Sequence, residues 1–522
     1  MKKNTLLYLA ILAAAGFTAC EPEFEHNLTD ADYSAGEADF TRYVAVGNSL
    51  TSGYMDGTVS RIGQTYSFPN QLAQQFKIVG GGEFTQPSYA DDVNNLGGIS
   101  GLPGFNTRLI IDAGAGGPEP IAGTSTVTLT AQQKAYNNMG VPGAKSFHLL
   151  AAGYGNPAGL ALGLANPYFV RHATSPTTTV LADALSLNPT FFTNWIGAND
   201  VLSYATSGGI GVDQTGNINP NTYGGNDITD PTVFAGTYTE IIRQLTLNGA
   251  KGVVATVPNI TSIPFFTTVP YNPLTASAIG DGDATVGLAS IRRANAQLYG
   301  PLNQILTAFG QPDRIHLLSE TDANPLLIKD ESLVNLGPQI TAAAAGNPAT
   351  APFATILGQI YGQARQATAQ DLVLLTTRSV IGEPPPGIPA PFDTFGVAYP
   401  LQDQHVLTAA EVTLVNNATT NFNNAIRAIA ATKNLAVADM NAILNQLVTG
   451  LRTSDGQIYT ADYFSTAKVN TVLFSLDGVH PNARGYALVA NEVIKVINEH
   501  YKAKLPMITA GYYPGATILP SN

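Results

Sequence analysis

The sequence predicts an α/β protein built around a parallel β-sheet, and two features indicate this class. Short apolar runs are each closed by Gly, Pro, Asn or Asp, and segments with helical periodicity lie between them. Strands buried on both faces of a parallel sheet give such runs, because neither face meets water. Strands that alternate with helices favour a layered fold in which the helices pack against the sheet.

Four apolar runs are the predicted strands. They cover 43–46 (YVAV), 189–196 (PTFFTNWI), 252–257 (GVVATV) and 435–438 (LAVA). The first run leads into 47–50 (GNSL), and the second closes on 197–200 (GAND). Residues at the carboxyl ends of such strands are the usual ligand-binding positions of an open parallel sheet.

Helices are predicted where apolar residues recur every three or four positions. One stripe covers about 411–432, and another runs from Pro481, near the first turn of a helix, to Ile497. Two long stretches rich in Gly, Pro, Ala, Asn and Thr, about 55–135 and 265–410, interrupt the pattern, although 289–306 is itself a predicted helix. Such insertions either cap a ligand site beside the strand ends or only decorate the surface, and the sequence leaves both interpretations open.

Composition excludes some functional classes. The 522 residues include 25 basic and 37 acidic side chains, a formal net charge of −12, and 44% are hydrophobic. Nucleic acid is disfavoured as a partner, because phosphate binding needs clustered Lys and Arg. A chain this apolar can bury a large core, so disorder throughout is also disfavoured.

The N-terminus has the pattern of a signal peptide, expected to cover 1–19. Lys2 and Lys3 precede an apolar run over 6–17, which is too short to span a bilayer, and the chain's single cysteine, Cys20, follows small residues. Residues 17–20 (FTAC) resemble a bacterial lipobox, so we expect lipidation of Cys20 and a lipidated tether over 20–40. Ordinary secretion with an incidental cysteine is the alternative.

An anchor of this kind predicts a protein of the cell envelope. No later stretch is long and apolar enough for a transmembrane helix, so the body is expected in water beside a membrane. Acidic residues directly behind Cys20 resemble the signals that send some Gram-negative lipoproteins to the cell surface. The expected location is therefore the outer membrane or the cell surface.

Four short motifs occur in order along the chain. They are 47–50 (GNSL), 140–144 (GVPGA), 197–200 (GAND) and 477–481 (DGVHP). Together they resemble the SGNH or GDSL family of serine esterases and lipases, over about 41–503, which would leave 504–522 as a C-terminal tail. The resemblance implies a three-layer α/β/α, flavodoxin-like fold with a central parallel sheet.

The resemblance also implies a role for each motif. Ser49 would be the nucleophile, His480 the base that takes its proton, and Asp477 the acid that orients the histidine, because a serine hydroxyl is a poor nucleophile without a base. The negative oxygen of the tetrahedral intermediate needs pre-set donors. These would be the backbone N–H of Ser49, the backbone N–H of Gly143 and the side-chain amide of Asn199.

Two positions near these motifs are open to other interpretations. The interval from Ser49 to Gly143 is longer than the family pattern, which makes Gly140 the alternative to Gly143 as a donor. Asp200, beside Asn199, is expected to be a structural hydrogen-bonding residue. Asn48 stands where the name-giving motif has aspartate, a position outside the catalytic three.

The predicted function is hydrolysis of carboxylic esters, acyl or acetyl, in a glycan or a lipid, by a membrane-anchored enzyme. Neither a cofactor nor a metal is expected: the seven histidines lack zinc-ligand spacing, and 140–146 (GVPGAKS) lacks the ending of a phosphate loop. Asp281 and Asp283 fit a glycine-rich turn better than a calcium site. The alternative function is a surface-binding lipoprotein that keeps the fold without turnover.

Overall fold

A computed structural model describes residues 32–112, 114, 117–348, 350–453, 456–465 and 467–519. The predicted signal peptide, Cys20 and most of the predicted tether lie outside the described residues. Among the described residues, every helix is too short or too polar to cross a membrane.

The centre of the protein is a five-stranded parallel sheet. Its strands are β1 (Tyr43–Gly47), β2 (Asn138–Gly140), β3 (Phe191–Trp195), β4 (Lys251–Ala255) and β5 (Ala436–Ala438). Their order across the sheet is β5-β4-β3-β1-β2, and each neighbouring pair is parallel. The four predicted runs coincide with β1, β3, β4 and β5, whereas the edge strand β2 has no apolar run to predict it.

Helices cover both faces of this sheet, because successive strand residues point to opposite sides. The main helices are α1 (Ser49–Ser52), α2 (Phe68–Ile78), α3 (Val180–Ser186), α4 (Asn199–Thr206), α5 (Pro231–Thr246), α6 (Ala409–Thr432), α7 (Met440–Thr449) and α8 (Ala483–His500). Val44 and Val46 share a core with α3, α5 and α6, while Tyr43 and Ala45 share another with α2 and α8. The predicted three-layer α/β/α fold is confirmed.

The first long insertion lies between β1 and β2 and is mostly loop. Its regular elements are Arg61–Tyr66, α2, Ser88–Asp91, Leu109–Asp112 and Gly117–Pro120. Val59, Ile99 and Val127 are buried in a small cluster with Tyr168 of the short Pro167–Val170 helix, which follows β2. The C-terminal strand Ile518–Leu519 pairs in parallel with Leu109–Asp112, so the segment beyond 503 packs onto this insertion.

The second insertion, between β4 and β5, has a hydrophobic core of its own. Its helices are Pro264–Thr267, Ala276–Ile279, Ala284–Ala294, Gly300–Ala308, Gly337–Ala345 and Ala354–Tyr361, and its strands are Leu327–Lys329, Ala364–Gln366, Leu372–Val373 and Val406–Leu407. A two-stranded hairpin, Leu451–Arg452 with Ile458–Tyr459, follows α7.

The helix predicted over 289–306 is interrupted. A π-helical turn, Asn295–Tyr299, separates Ala284–Ala294 from Gly300–Ala308. Pro301 has no N–H to donate to the preceding turn, which accounts for the widened turn before it.

Candidate active site

The sheet order places three of the four motifs side by side. Because β1 lies between β2 and β3 and all three are parallel, their carboxyl ends meet at one edge of the sheet. Ser49 follows β1, Gly143 follows β2, and Asn199 follows β3 at the start of α4. The loops with Gly143 and Asn199 therefore flank the loop with Ser49.

The turn from β1 into α1 presents Ser49 at its first helical position. The Asn48 side chain caps α1 by accepting a hydrogen bond from the N–H of Leu50 at 3.0 Å. A Cβ on Gly47 would lie 2.2 Å from Thr51 Oγ1, and one on Gly140 would lie 2.2 Å from the Ser52 nitrogen. Glycine at both positions lets the turn pack directly against β2.

Three side chains form a continuous hydrogen-bonded chain at this edge. His480 Nε2 lies 2.8 Å from Ser49 Oγ, and His480 Nδ1 lies 3.0 Å from Asp477 Oδ2. Ser49 and His480 are 431 positions apart in the sequence, so the fold alone brings them together. A histidine held in this way can take a proton from the serine hydroxyl.

The Asp477 carboxylate is partly buried and has several donors. Its Oδ1 accepts from the N–H groups of Val479 at 2.8 Å and His480 at 2.9 Å, and its Oδ2 also accepts from the N–H of Gly57 at 3.2 Å. Burial opposes ionisation, but the attraction of His480 and these hydrogen bonds outweigh it and hold the pKa of Asp477 below its usual value. Asp477 is therefore an anion at neutral pH.

Donors for an oxyanion are present on the flanking loops. Within the described chain, the backbone N–H groups of Ser49 and Gly143 make no hydrogen bond, and Gly143 is exposed with φ at +78°. Asn199 Nδ2 donates to the Ala144 carbonyl at 3.0 Å, which leaves its second amide hydrogen free for a ligand. The Gly140 N–H already donates to Asn138 Oδ1 at 3.1 Å, so the geometry favours Gly143 over Gly140.

Asp200 joins two of these loops. Its carboxylate is buried and accepts from the Ser146 N–H at 2.8 Å and from Ser146 Oγ at 2.7 Å. Burial raises the pKa of Asp200 against the effect of these hydrogen bonds. The residue thus connects the loop after β2 to α4, beside Asn199.

Two residues near the site have no signal in the sequence. The ring of Tyr54 lies 4.5 Å from the His480 ring, centroid to centroid. Asp56 is buried, and its Oδ1 accepts from the Leu476 N–H at 3.1 Å, from 420 positions away. Burial, with a smaller contribution from Asp477, raises the pKa of Asp56 to about 7. Both residues lie where the first insertion begins, and both contact the segment around His480.

The second insertion also contacts the loop that carries Asp477 and His480. The Phe265 N–H donates to the Gly478 carbonyl at 2.9 Å. Leu375 Cδ2 lies 2.8 Å from where a Cβ would stand on Gly478, whose φ is +73°. Only glycine suits this close contact and this backbone conformation. Both insertions therefore touch the loop that carries Asp477 and His480.

The wall of a small apolar pocket of about 90 Å³ includes sequence neighbours of Ser49 and His480. Leu50, next to Ser49, and Val479 and Pro481, on either side of His480, form part of its wall. The other lining residues are Trp195, Pro258, Ile263, Met440, Ile443, Leu444, Leu447, Leu473, Phe474, Gly485, Leu488 and Val489. None of these side chains is charged, so the pocket suits an apolar group.

The described residues contain no group of three or more His, Cys, Asp or Glu side chains that could hold a metal ion. Asp283 instead caps the Ala284–Ala294 helix by accepting from the N–H groups of Thr285 and Val286. Asp281 lies in the turn before this cap, with φ at +51°.

One family model matches part of the chain. Residues 341–493 match the family model described as GDSL-like lipase/acylhydrolase. This match supports a hydrolase of the SGNH/GDSL type. It also supports a carboxylic ester hydrolase, and the matched range contains Asp477 and His480 but not Ser49. No curated protein and no solved structure matches the chain significantly.

Proposed function

We propose that this protein cleaves carboxylic esters with Ser49 as nucleophile, His480 as general base and Asp477 as the residue that orients His480. The observation that carries the proposal is the hydrogen-bonded chain from Ser49 Oγ through both ring nitrogens of His480 to Asp477. An ionised Asp477 fixes the tautomer in which His480 Nε2 accepts the serine proton.

The reaction proceeds in two halves. His480 takes the proton of Ser49 as Oγ attacks the ester carbonyl, and the negative oxygen of the tetrahedral intermediate accepts hydrogen bonds from Ser49, Gly143 and Asn199. His480 then gives its proton to the leaving alcohol, which leaves an acyl group on Ser49. Water, activated by the same histidine, releases the acid and restores the serine.

The apolar pocket beside Leu50 and Val479 is the proposed site of the acyl group. Its volume of about 90 Å³ is smaller than the roughly 150 Å³ cavity that accommodates benzene in another protein. A short acyl group, from acetyl to butyryl, fits such a space. We therefore expect activity to fall as the acyl chain lengthens.

The test compares p-nitrophenyl acetate, butyrate and decanoate as substrates. Ser49→Ala should lower the turnover of the acetate ester by roughly 10⁴-fold, and Ser49→Ala/His480→Ala should be little worse, because the two residues act as a unit. Ser186→Ala is a matched control, since Ser186 ends α3 before β3 begins and so lies away from the carboxyl ends of the strands. Full activity of Ser49→Ala would refute the proposal, and no hydrolysis of any ester would favour the non-catalytic binding lipoprotein.

We also propose that a lipid on Cys20 anchors the enzyme at the outer membrane or cell surface. The support is the sequence pattern alone, the apolar run over 6–17 followed by small residues and the cysteine.

A diacylated cysteine buries many CH₂ groups at about 0.8 kcal/mol each, so wild-type protein should fractionate with membranes. Cys20→Ser should abolish labelling by radioactive palmitate, with Ser49→Ala as the labelled control; unchanged labelling of Cys20→Ser would exclude the anchor. Protease treatment of whole cells then distinguishes the cell surface from the inner leaflet.

A further inference from the structure

The second insertion encloses a large cavity that contains none of the proposed catalytic side chains. Its volume is about 1650 Å³, and its walls come from 268–301, 347–357 and 378–398. Pockets for small organic ligands measure about 300–1,000 Å³, so this cavity has room for a larger molecule.

The cavity and the candidate active site share two short segments of chain. Phe265 donates its N–H to Gly478, and Thr268, three residues later, lines the cavity. Leu375 packs against Gly478, and Arg378, again three residues later, lines the cavity. Three residues make about one turn of helix, a rise of roughly 5 Å. The cavity therefore begins about one helical turn from the loop that positions His480.

The charges in the cavity wall disfavour an anionic ligand. Arg293 and Arg378 face three carboxylates, of Asp281, Glu383 and Asp393, so the wall has a small negative excess. A phosphate-bearing ligand would need a positive excess. A long acyl chain is disfavoured as well, since five ionisable groups line the space and burying them against hydrocarbon is unfavourable.

The two guanidinium groups keep free donors. In the described part of the chain neither forms an ion pair: Arg293 donates only to Ser290 Oγ, at 3.3 Å, and the Arg378 side chain makes no hydrogen bond. Arg292, the neighbour of Arg293, is paired with Glu320 at 2.7 Å and lies outside the cavity wall. The wall thus offers unpaired donors together with carboxylate acceptors.

An aromatic surface lies in the same wall. Phe353 is 39% exposed and packs edge to face against Phe392, with 5.4 Å between ring centroids. A ring face of this kind suits the C–H face of a sugar, while sugar hydroxyls can accept from guanidinium groups and donate to carboxylates.

We infer that this cavity binds the alcohol part of the ester, and that this part is a neutral oligosaccharide. The inference rests on the proposed function, because the cavity adjoins the loop of His480, from which the leaving alcohol would receive its proton. The acyl group would then lie in the small apolar pocket, whose wall includes Leu50 and Val479, and the sugar chain in the large cavity.

The test uses chemically acetylated xylohexaose, cellohexaose and maltohexaose beside p-nitrophenyl acetate, which has no sugar. We expect wild-type enzyme to deacetylate at least one hexasaccharide. Arg293→Ala and Arg378→Ala should lower the ratio of kcat/KM for that hexasaccharide to kcat/KM for p-nitrophenyl acetate at least tenfold. Arg292→Ala, a neighbouring arginine with no place in the wall, should leave the ratio unchanged.

Calorimetry with Ser49→Ala protein separates this inference from the proposed function. The three hexasaccharides, acetylated and plain, serve as probes, and binding weakened by Arg293→Ala supports the cavity even if no ester is hydrolysed. Hydrolysis of p-nitrophenyl acetate without binding or deacetylation of any hexasaccharide would overturn the inference and leave the proposed function standing. An unchanged ratio in both arginine variants would overturn it too.

Discussion

The carboxyl groups of the buried Asp56 and the partly buried Asp477 interact electrostatically and have opposite environments. Asp477 has the histidine and several N–H donors, which keep its pKa low despite burial. Asp56 accepts from the Leu476 N–H, and its burial raises its pKa to about 7. Near neutral pH this arrangement can hold a single negative charge, on the residue that hydrogen-bonds to His480.

Asp56→Asn should remove a pH dependence of stability. Because the folded state raises the pKa of this acid from about 4 in the unfolded chain, its stabilising contribution is complete below about pH 4 and is lost as pH rises to about 7. Asparagine resembles the neutral acid and still accepts from Leu476, so the variant should melt a few degrees above wild type at pH 8 and close to it at pH 4.5. Thermal melts across this range test the prediction, with the exposed Asp322→Asn as control; a constant difference at every pH would contradict it.

Asn199→Ala distinguishes a donor to the oxyanion from a residue that only holds its loop. If the second amide hydrogen of Asn199 binds the developing negative charge, kcat for p-nitrophenyl acetate should fall by about 10² to 10³, or roughly 2.7 to 4 kcal/mol, with little change in KM. The hydrogen bond to Ala144 is lost as well, so a thermal melt must accompany the kinetics. A lower melting temperature with intact kcat would assign Asn199 to the loop alone.

At the scale of single elements, a strand is predictable from the sequence when both of its faces are buried. β1, β3 and β4 lie inside the sheet, and their largely apolar runs predict them. The three-residue edge strand β2 reads Asn-Met-Gly, which has neither a run nor an alternation. The sequence therefore does not predict this strand, and only its pairing with β1 defines it.

The site was predictable to the extent that its residues lie in short motifs. Asp477 and His480 are three positions apart, and Ser49 lies in the motif that follows a predicted strand, so local sequence alone predicts all three members of the proposed triad. Asp56 and Tyr54 contact partners more than 400 positions away. Contacts between residues so far apart in the sequence cannot be predicted from a local motif, and only the folded chain shows them.

Gly140→Ala should separate β2 from α1. The backbone of Gly140 does not have a positive φ, so the cost lies in the new Cβ, 2.2 Å from the Ser52 nitrogen. Overpacking of this kind typically costs about 1–3 kcal/mol, and moving α1 shifts Ser49 away from His480. The free energy of unfolding measured in urea and the kcat for p-nitrophenyl acetate should both fall.

Gly236→Ala is the matched control for that change. Gly236 lies within α5, and a Cβ there meets no atom within 4 Å. Alanine should raise stability by up to about 1 kcal/mol, because glycine is the poorer helix former. Equal effects of the two substitutions would mean that contact with α1 does not explain the Gly140 result.

At the scale of the whole molecule, both insertions contribute to one loop. The first donates the N–H of Gly57 to Asp477, and the second donates the N–H of Phe265 to Gly478. The parallel sheet supplies Ser49, but the position of its partner His480 depends on these contacts. A change that loosens either insertion should therefore lower activity as well as stability.

The ion pair between Asp91 and Arg171 tests this dependence. Arg171, after β2, is 2% exposed and donates to both oxygens of Asp91 in the first insertion at 2.7 Å. Asp91→Ala leaves a buried guanidinium without its anion, which typically costs about 3–5 kcal/mol. We expect lower stability in urea, faster hydrogen exchange over 88–112 and a reduced kcat, since Gly57 belongs to the same insertion.

The loss of stability expected in Asp91→Ala comes from leaving the buried charge of Arg171 unpaired. Two further variants test this cause. Glu83→Ala breaks the Lys77–Glu83 pair, whose side chains are 48% and 85% exposed, and should change stability by less than about 1 kcal/mol. Asp91→Ala/Arg171→Met removes both charges and should recover much of the lost stability, because an apolar side chain carries no penalty for burial. If Asp91→Ala is as stable as Glu83→Ala, then the ion pair does not hold the first insertion to the sheet, and packing around Tyr168 must do so instead.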